Sequence, residues 1–244
     1  MTQTNVWNAY DLPTVPNVCD QILRELIRLP SASMAHVIMQ PGNVSLLHEH
    51  KKMREFYFIL EGKGIFYYGD KALGVEKGSS LTIPHSVSHK LKNTTNGKLE
   101  HLVFAMPPFD PEDVFLIPDH NSIPSVEKFK FNKKPFTARD GAKVYEIDSA
   151  EERKESGVAF AYGTLSPKRK ATLHVHHISD EVYYIISGEG KVTLGDDEYS
   201  VRKGSVIHVP THLPHGLENT TNGELEVLCL STPPYQDADF IIIE

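Results

Sequence analysis

Cysteine is scarce in this chain: of 244 residues only Cys19 and Cys229 carry a thiol. Two cysteines make no disulfide framework, so a reducing, cytoplasmic setting is the default expectation. Read alone, each thiol is a buried apolar filler or an unreactive surface group. Basic charge is also short, with 25 Lys and Arg against 32 Asp and Glu and a formal charge of −7. With no basic stripe, a nucleic-acid partner is not expected. The apolar runs fall well below the roughly 20 residues that cross a bilayer, so no membrane partner is expected either. The segment Met1 to Trp7 lacks the charged-then-apolar pattern of a leader. Helical periodicity is sparse. Residues 21–29 place Ile22, Leu23, Leu26 and Ile27 on one side, yet the segment reads equally well as a strand or irregular arm.

What the chain has is histidine, and in a pattern. His48, His50, Glu55 and His89 recur as His174, His176, Glu181 and His215, each shifted by 126 positions. Residues 42–117 lie over residues 168–243 without a gap, and 29 of the 76 aligned positions are identical. The matches extend to turns: Gly62 and Gly64 fall on Gly188 and Gly190, and residues 93–97 (Asn-Thr-Thr-Asn-Gly) recur at 219–223. Shared turn residues mean shared backbone geometry. A period this long indicates two whole domains rather than a solenoid.

Each copy reads as short strands punctuated by turns, which points to an all-β sandwich or barrel. Residues 56–60 and 182–186 are aromatic and β-branched runs closed by glycine. Residues 80–84 and 206–210 begin after a Lys-Gly turn and stop at proline, and residues 99–106 and 225–232 are apolar runs that end at Pro-Pro. The expected organisation is an N-terminal arm over 1–30, a barrel over 31–118, a linker over 119–141 and a second barrel over 142–244. The linker is expected to pack back in part as an extra strand, because a free tether would expose Phe129, Phe131 and Phe136.

Side chains at i and i+2 of a strand share a face. His48 and His50 therefore aim into one interior, as do His174 and His176. Glu55 and Glu181 return on the next strand after a tight turn, and His89 and His215 follow a proline-bearing turn. Three neutral imidazoles and one carboxylate, with no thiolate, suit one divalent transition metal per domain: Fe, Mn, Ni, Cu or Zn. Four protein ligands leave two positions of a six-coordinate ion for substrate and O2 or water. His177 and His212, which have no counterparts in the first copy, are candidate hydrogen-bonding partners or proton relays beside the C-terminal metal. His36, His101, His120 and His208 read as structural.

These spacings resemble the cupin family. Gly42, His48, His50, Glu55 and Gly62 match its first motif, and Gly78, Pro84, His89 and Asn93 its second. Ser86, Lys168 and His212 depart from it where glycine is usual. The resemblance implies a bicupin: two tandem antiparallel jelly-roll β-barrels, each holding one metal. It also implies that members commonly pair through sheet edges or an N-terminal arm, which makes a homodimer a candidate assembly.

Strand phase extends the reading to the cavities. Tyr57 and Ile59 share the face of Glu55, Leu91 that of His89, and Leu46 that of His48. Thr172, Tyr183, Ile185 and Leu217 are the corresponding expectations in the second copy. Apolar pockets with few polar anchors suit a small, apolar or aromatic and enolic organic substrate. Neither first-motif segment places an arginine in phase with the ligands, which counts against oxalate decarboxylase and oxalate oxidase chemistry within the family. The leading expectation is a metal-dependent dioxygenase-type oxidoreductase. In it Glu55 and Glu181 serve as ligands and proton acceptors, and Tyr57 and Tyr183 orient the substrate. A non-redox isomerase, lyase or cyclase and a storage-type binding protein are the alternatives.

Overall fold

The structure, a computed structural model, describes residues 5–17, 19, 21–119, 125–128 and 134–243. Phe129 and Phe131, on which part of the linker reading rests, and His120 lie outside them. Two compact units form: Leu12–Asn132, and Met1–Asp11 together with Lys133–Glu244. The arm expected over residues 1–30 is thus divided. The strand Val6–Asn8 pairs with Ser205–Val209 of the C-terminal half, whereas Ile22–Arg28 pairs with Ser33–Met39 of the N-terminal half.

Residues 22–28 settle as strand because their apolar side chains complete a sheet. Propensity alone leaves such a short run undecided, and tertiary pairing decides it. In the unit Leu12–Asn132, one sheet runs in the order Ile22–Arg28, Ser33–Met39, Leu99–Met106, Arg54–Glu61, Ser80–Ile83. The other runs Phe115–Leu116, His48–Glu49, His89–Asn93, Lys63–Tyr68, Lys71–Glu76, Val126–Lys128. All pairings are antiparallel except that of Val126–Lys128 on Lys71–Glu76, which is parallel. Val126–Lys128 thus adds a strand to that sheet, whereas Phe136 stays exposed. The second unit repeats the plan with a seven-stranded and a five-stranded sheet. Its short helix, Ala150–Ser156, is capped by Ser149 in a reciprocal box with Glu152.

The core of each unit lies where inward-facing side chains of its sheets meet. Val37, Met39, Ile59, Phe66, Leu91 and Leu99 pack together in the first unit. Leu165, Ile185, Val192, Ile207, Leu217 and Leu225 do so in the second. The repeated Asn-Thr-Thr-Asn-Gly run now has a reason. Buried Asn93 donates to the carbonyls of Met39, Gln40 and Gly97 and accepts from Thr95, and Asn219 makes the equivalent bonds. One amide side chain thereby ties three chain segments together.

Ser86, Lys168 and His212, which stand where the family usually has glycine, adopt φ of 61°, 59° and 65°. The glycine conformation is retained without glycine. At two of the three positions the backbone bonds of the turn show why. The amides of Ser86 and His212 donate to the carbonyls of His50 and His176 at 2.5 and 2.7 Å, tying each turn to a ligand-bearing segment.

Candidate metal centres

His48 and His89 face each other across adjacent strands, and so do His174 and His215. Glu55 and Glu181 come from the opposite sheet of their own units. In each copy the four ligand atoms lie within 4.8 Å of one another. The clusters are buried except for His48, which is half-buried.

Outer hydrogen bonds orient the imidazoles. Nδ1 of His48, His89, His174 and His215 faces the carbonyl of Leu46, Val87, Thr172 and Leu213 at 2.8–3.0 Å. Nδ1 of His50 faces the carbonyl of Asp113 at 2.9 Å. A carbonyl only accepts, so these Nδ1 atoms carry the proton and Nε2 presents its lone pair to the centre. There it meets the carboxylate: His89 Nε2 stands 2.8 Å from Glu55 Oε2, and His215 Nε2 stands 3.1 Å from Glu181 Oε2. Both nitrogens of these rings therefore face oxygen acceptors. Burial and the neighbouring imidazole push the pKa of His48 and of His174 down to about 4, so the rings cannot all be protonated. Buried His50 Nε2 has no hydrogen-bond partner among the described residues. A cation between the lone pairs and the carboxylate resolves both conflicts, and the donor set fits a divalent transition ion. Burial alone would raise the carboxyl of Glu55, but His50 and His89 hold it well below the usual range. Glu181 is likewise held low against burial, by His215 first.

Tyr57 and Tyr183 share the cavities, and each phenol donates to the carboxylate, at 3.1 Å to Glu55 and 2.5 Å to Glu181. Burial and that carboxylate raise both phenols well above their ordinary pKa, so they stay protonated. Two aspartates that the spacing argument passed over complete the frame. Buried Asp113 accepts from the backbone N–H groups of Lys51, Lys52 and Met53. Asp239 accepts from those of His177, Ile178 and Ser179. They are related by the same 126-position shift, so the repeat did carry their signal.

Each centre opens into a cavity, of about 400 Å³ in the N-terminal unit and about 380 Å³ in the C-terminal one. Leu46, Leu91 and Leu217 are among the residues that line them, although Leu46 precedes the strand His48–Glu49 and is exposed. Ile59 and Ile185 do not line them: each is fully buried in the core. Thr172 falls outside the strand His174–His176 and is exposed, so phase counting fails there. His177 and His212 are not drawn into the C-terminal cavity, and their rings pair with each other at 4.9 Å. His101, read from the sequence as structural, lines the N-terminal cavity. Cys19 lines that same cavity, and Cys229 Sγ lies 3.6 Å from Glu181 Oε1. An arginine does reach the C-terminal cavity. Arg139 arrives from the segment ahead of the barrel, where an in-phase count along the first motif does not look.

The cupin domain model matches residues 35–104 and 161–231, more than half of the chain. The chain belongs to the cupin family. An uncharacterised protein of Methanocaldococcus jannaschii is 36% identical over 118 residues, covering 48% of this chain and 94% of that one. Oxalate decarboxylase of Bacillus subtilis is 22% identical over 254 residues, covering 81% of this chain and 66% of the other, so this cupin spans about two thirds of that relative's length. Among solved structures, Lactobacillus farciminis oxalate decarboxylase in its formate complex superposes with a TM-score of 0.76 at 18% identity, over 100% of this chain and 89% of that one. At such identity the likeness shows the fold, and that fold is a bicupin.

Proposed function

We propose that this bicupin is a metal-dependent enzyme that cleaves a carbon–carbon bond beside the carboxylate of a small organic acid. The observation that carries the reading is the pair of buried three-imidazole, one-carboxylate clusters, each opening into its own largely apolar cavity. His48, His50, Glu55 and His89 would hold one ion, and His174, His176, Glu181 and His215 the other. The Bacillus relative carries Mn(II) centres, which makes Mn(II) the first ion to test among Fe, Mn, Ni, Cu and Zn. When bound, such an ion supplies a positive Lewis-acid site that draws an oxygen donor of the substrate to the open face of the cluster.

The chain's own residues do the rest. Nδ1–H bonds hold five of the six rings in one tautomer, all but His176, and Tyr57 and Tyr183 fix the glutamate oxygens. Leu91 and Leu217 hold the carbon part of the substrate away from water. Arg139 lays its guanidinium over the Phe240 ring at 5.1 Å and donates through Nη1 to the carbonyls of Asp237 and Phe240. Its remaining N–H groups can pair with a carboxylate, which gives the C-terminal cavity a partner for an acid. In decarboxylation the bond to the carboxylate carbon breaks, CO2 leaves, and the electron pair remaining on carbon takes up one proton from solvent. An O2-dependent oxidation is the second reading, favoured by the apolar lining of both cavities.

Purified protein loaded separately with each metal, incubated with a panel of small acids beginning with oxalate, separates these readings. Decarboxylation releases CO2 and consumes one proton per turnover without net O2 uptake. A dioxygenase consumes one O2 per substrate. Binding of an acid with neither change, under every metal, overturns both in favour of a binding protein.

A further inference from the structure

The two cavities are built on one plan but differ in which polar side chains line them. His101 is 3% exposed and lines the N-terminal cavity, and its Nδ1 has no hydrogen-bond partner among the described residues. Its ring is stacked on Tyr57, with centroids 5.4 Å apart, which fixes its orientation. Gln21 lines the same cavity, and its buried Nε2 also has no partner among those residues. Buried polar groups are ordinarily hydrogen-bonded, so two in one cavity call for a partner there.

The C-terminal cavity has neither group. Val227 stands where the repeat places His101. Ile22 faces Ile38 and Lys143 faces Thr164, which are equivalent positions of the repeat, so Gln21 is matched by Ala142. Both replacements are apolar and both line the cavity. The geometry points to a polar subsite, unique to the N-terminal cavity, in which His101 and Gln21 hydrogen-bond an uncharged hydroxyl or carbonyl at the far end of a metal-anchored acid.

The far group is uncharged because neither His101 nor Gln21, the two groups offered to it, carries a charge to balance one. Burial and His36 hold the His101 imidazole neutral, with its pKa down at about 3. A charged group buried without a counter-charge is expensive. The distance sets the length of the ligand. His101 is four residues along its strand from Ala105, which faces Glu55. That is about 13 Å of backbone. Tyr57 shortens the gap between side chains, since its ring is 5.4 Å from His101 and 6.1 Å from His89. An acid with a body of about six carbons spans a gap of this order.

This inference rests on the reading of a metal-anchored acid, and the test separates the two. The full chain, carrying His174→Ala and His215→Ala so that only the N-terminal centre loads, is charged with Mn(II) and titrated calorimetrically with hexanoate, 6-hydroxyhexanoate and adipate. The hydroxyl is expected to tighten binding about fivefold over hexanoate, the net worth of one hydrogen bond. Adipate is expected to bind no better than hexanoate. His101→Val with Gln21→Ala should abolish the gain while hexanoate affinity and Mn(II) binding stay unchanged, and His101→Gln should keep most of it. If that double variant loses Mn(II), Gln21→Ala alone serves and should still reduce the gain. Hexanoate binding with no gain from the hydroxyl, a gain that survives the double variant, or preference for adipate overturns the subsite. Failure of both hexanoate and 6-hydroxyhexanoate to bind overturns the metal-anchored reading of the N-terminal centre along with it.

Discussion

Asp239→Asn should weaken the C-terminal unit and its metal site together. The Asp239 carboxylate accepts three backbone N–H bonds, at 2.8 Å from His177, 2.8 Å from Ile178 and 3.0 Å from Ser179. These three residues form the turn between His176 and the strand that carries Glu181. Asparagine turns one carboxylate oxygen into an NH2 group, which cannot accept. At least one turn N–H then faces a donor, which costs roughly 1–3 kcal/mol, and the remaining bonds lose their charge assistance. A total of about 3 kcal/mol is expected, or about 10 °C in melting temperature for a unit of this size. Loosening the turn also frees His176 relative to Glu181, for which a fall of about tenfold in metal affinity is typical. Differential scanning calorimetry of the apo protein reads the first effect. Mn(II) titration in a His48→Ala background reads the second at the C-terminal centre alone. A variant that melts within about 2 °C of the parent, or one that keeps the parent's Mn(II) affinity at that centre, would refute the reasoning.

Ser86→Gly, Lys168→Gly and His212→Gly should each raise stability by about 0.5–1 kcal/mol, because all three residues sit at positive φ, where a side chain is strained; thermal melts of the single variants check this. His101 sets an acid limb. Its folded-state pKa of about 3 lies below the unfolded value near 6.5, so the unfolded chain binds the extra proton. That stability is complete above about pH 6.5 and is lost as the pH falls toward 3, by up to about 4 kcal/mol. Denaturant titrations from about pH 7 to pH 4 should therefore fall less steeply for His101→Val than for the parent. Chelation should lower the melting temperature yet leave the β-type circular dichroism spectrum unchanged, since each unit has its own apolar core; collapse of that spectrum on metal removal would contradict it.

Much of the fold was legible in the chain because its determinants are local. Turn glycines, Pro-Pro stops and alternating aromatic strands recur with one period, and the strands form where these signals bound them. The ligand clusters were legible for a related reason: i and i+2 on a strand share a face, and a tight turn returns Glu55 and Glu181 to it. Phase counting failed where a strand ended or ran too deep. Thr172 lies before its strand begins, and Ile59 and Ile185, though in phase with the glutamates, sink into the core. Gln21, Cys19 and Arg139 reach the cavities from segments outside the repeat's motifs, and no spacing rule joins them to a distant histidine. His101 was passed over because a strand histidine is ordinarily structural. Asp113 and Asp239 were visible in the repeat, but a backbone-capping role is apparent only once the turn they hold is seen.

In both units the donors are drawn from opposing sheets, with paired histidines on one and the glutamate on the other. An ion held by all four acts as a rivet through the two layers, so the layers cannot part at that end without breaking coordination. Breathing of the cavity mouth, and with it the speed at which a guest enters or leaves, is thereby geared to whether the rivet is in place.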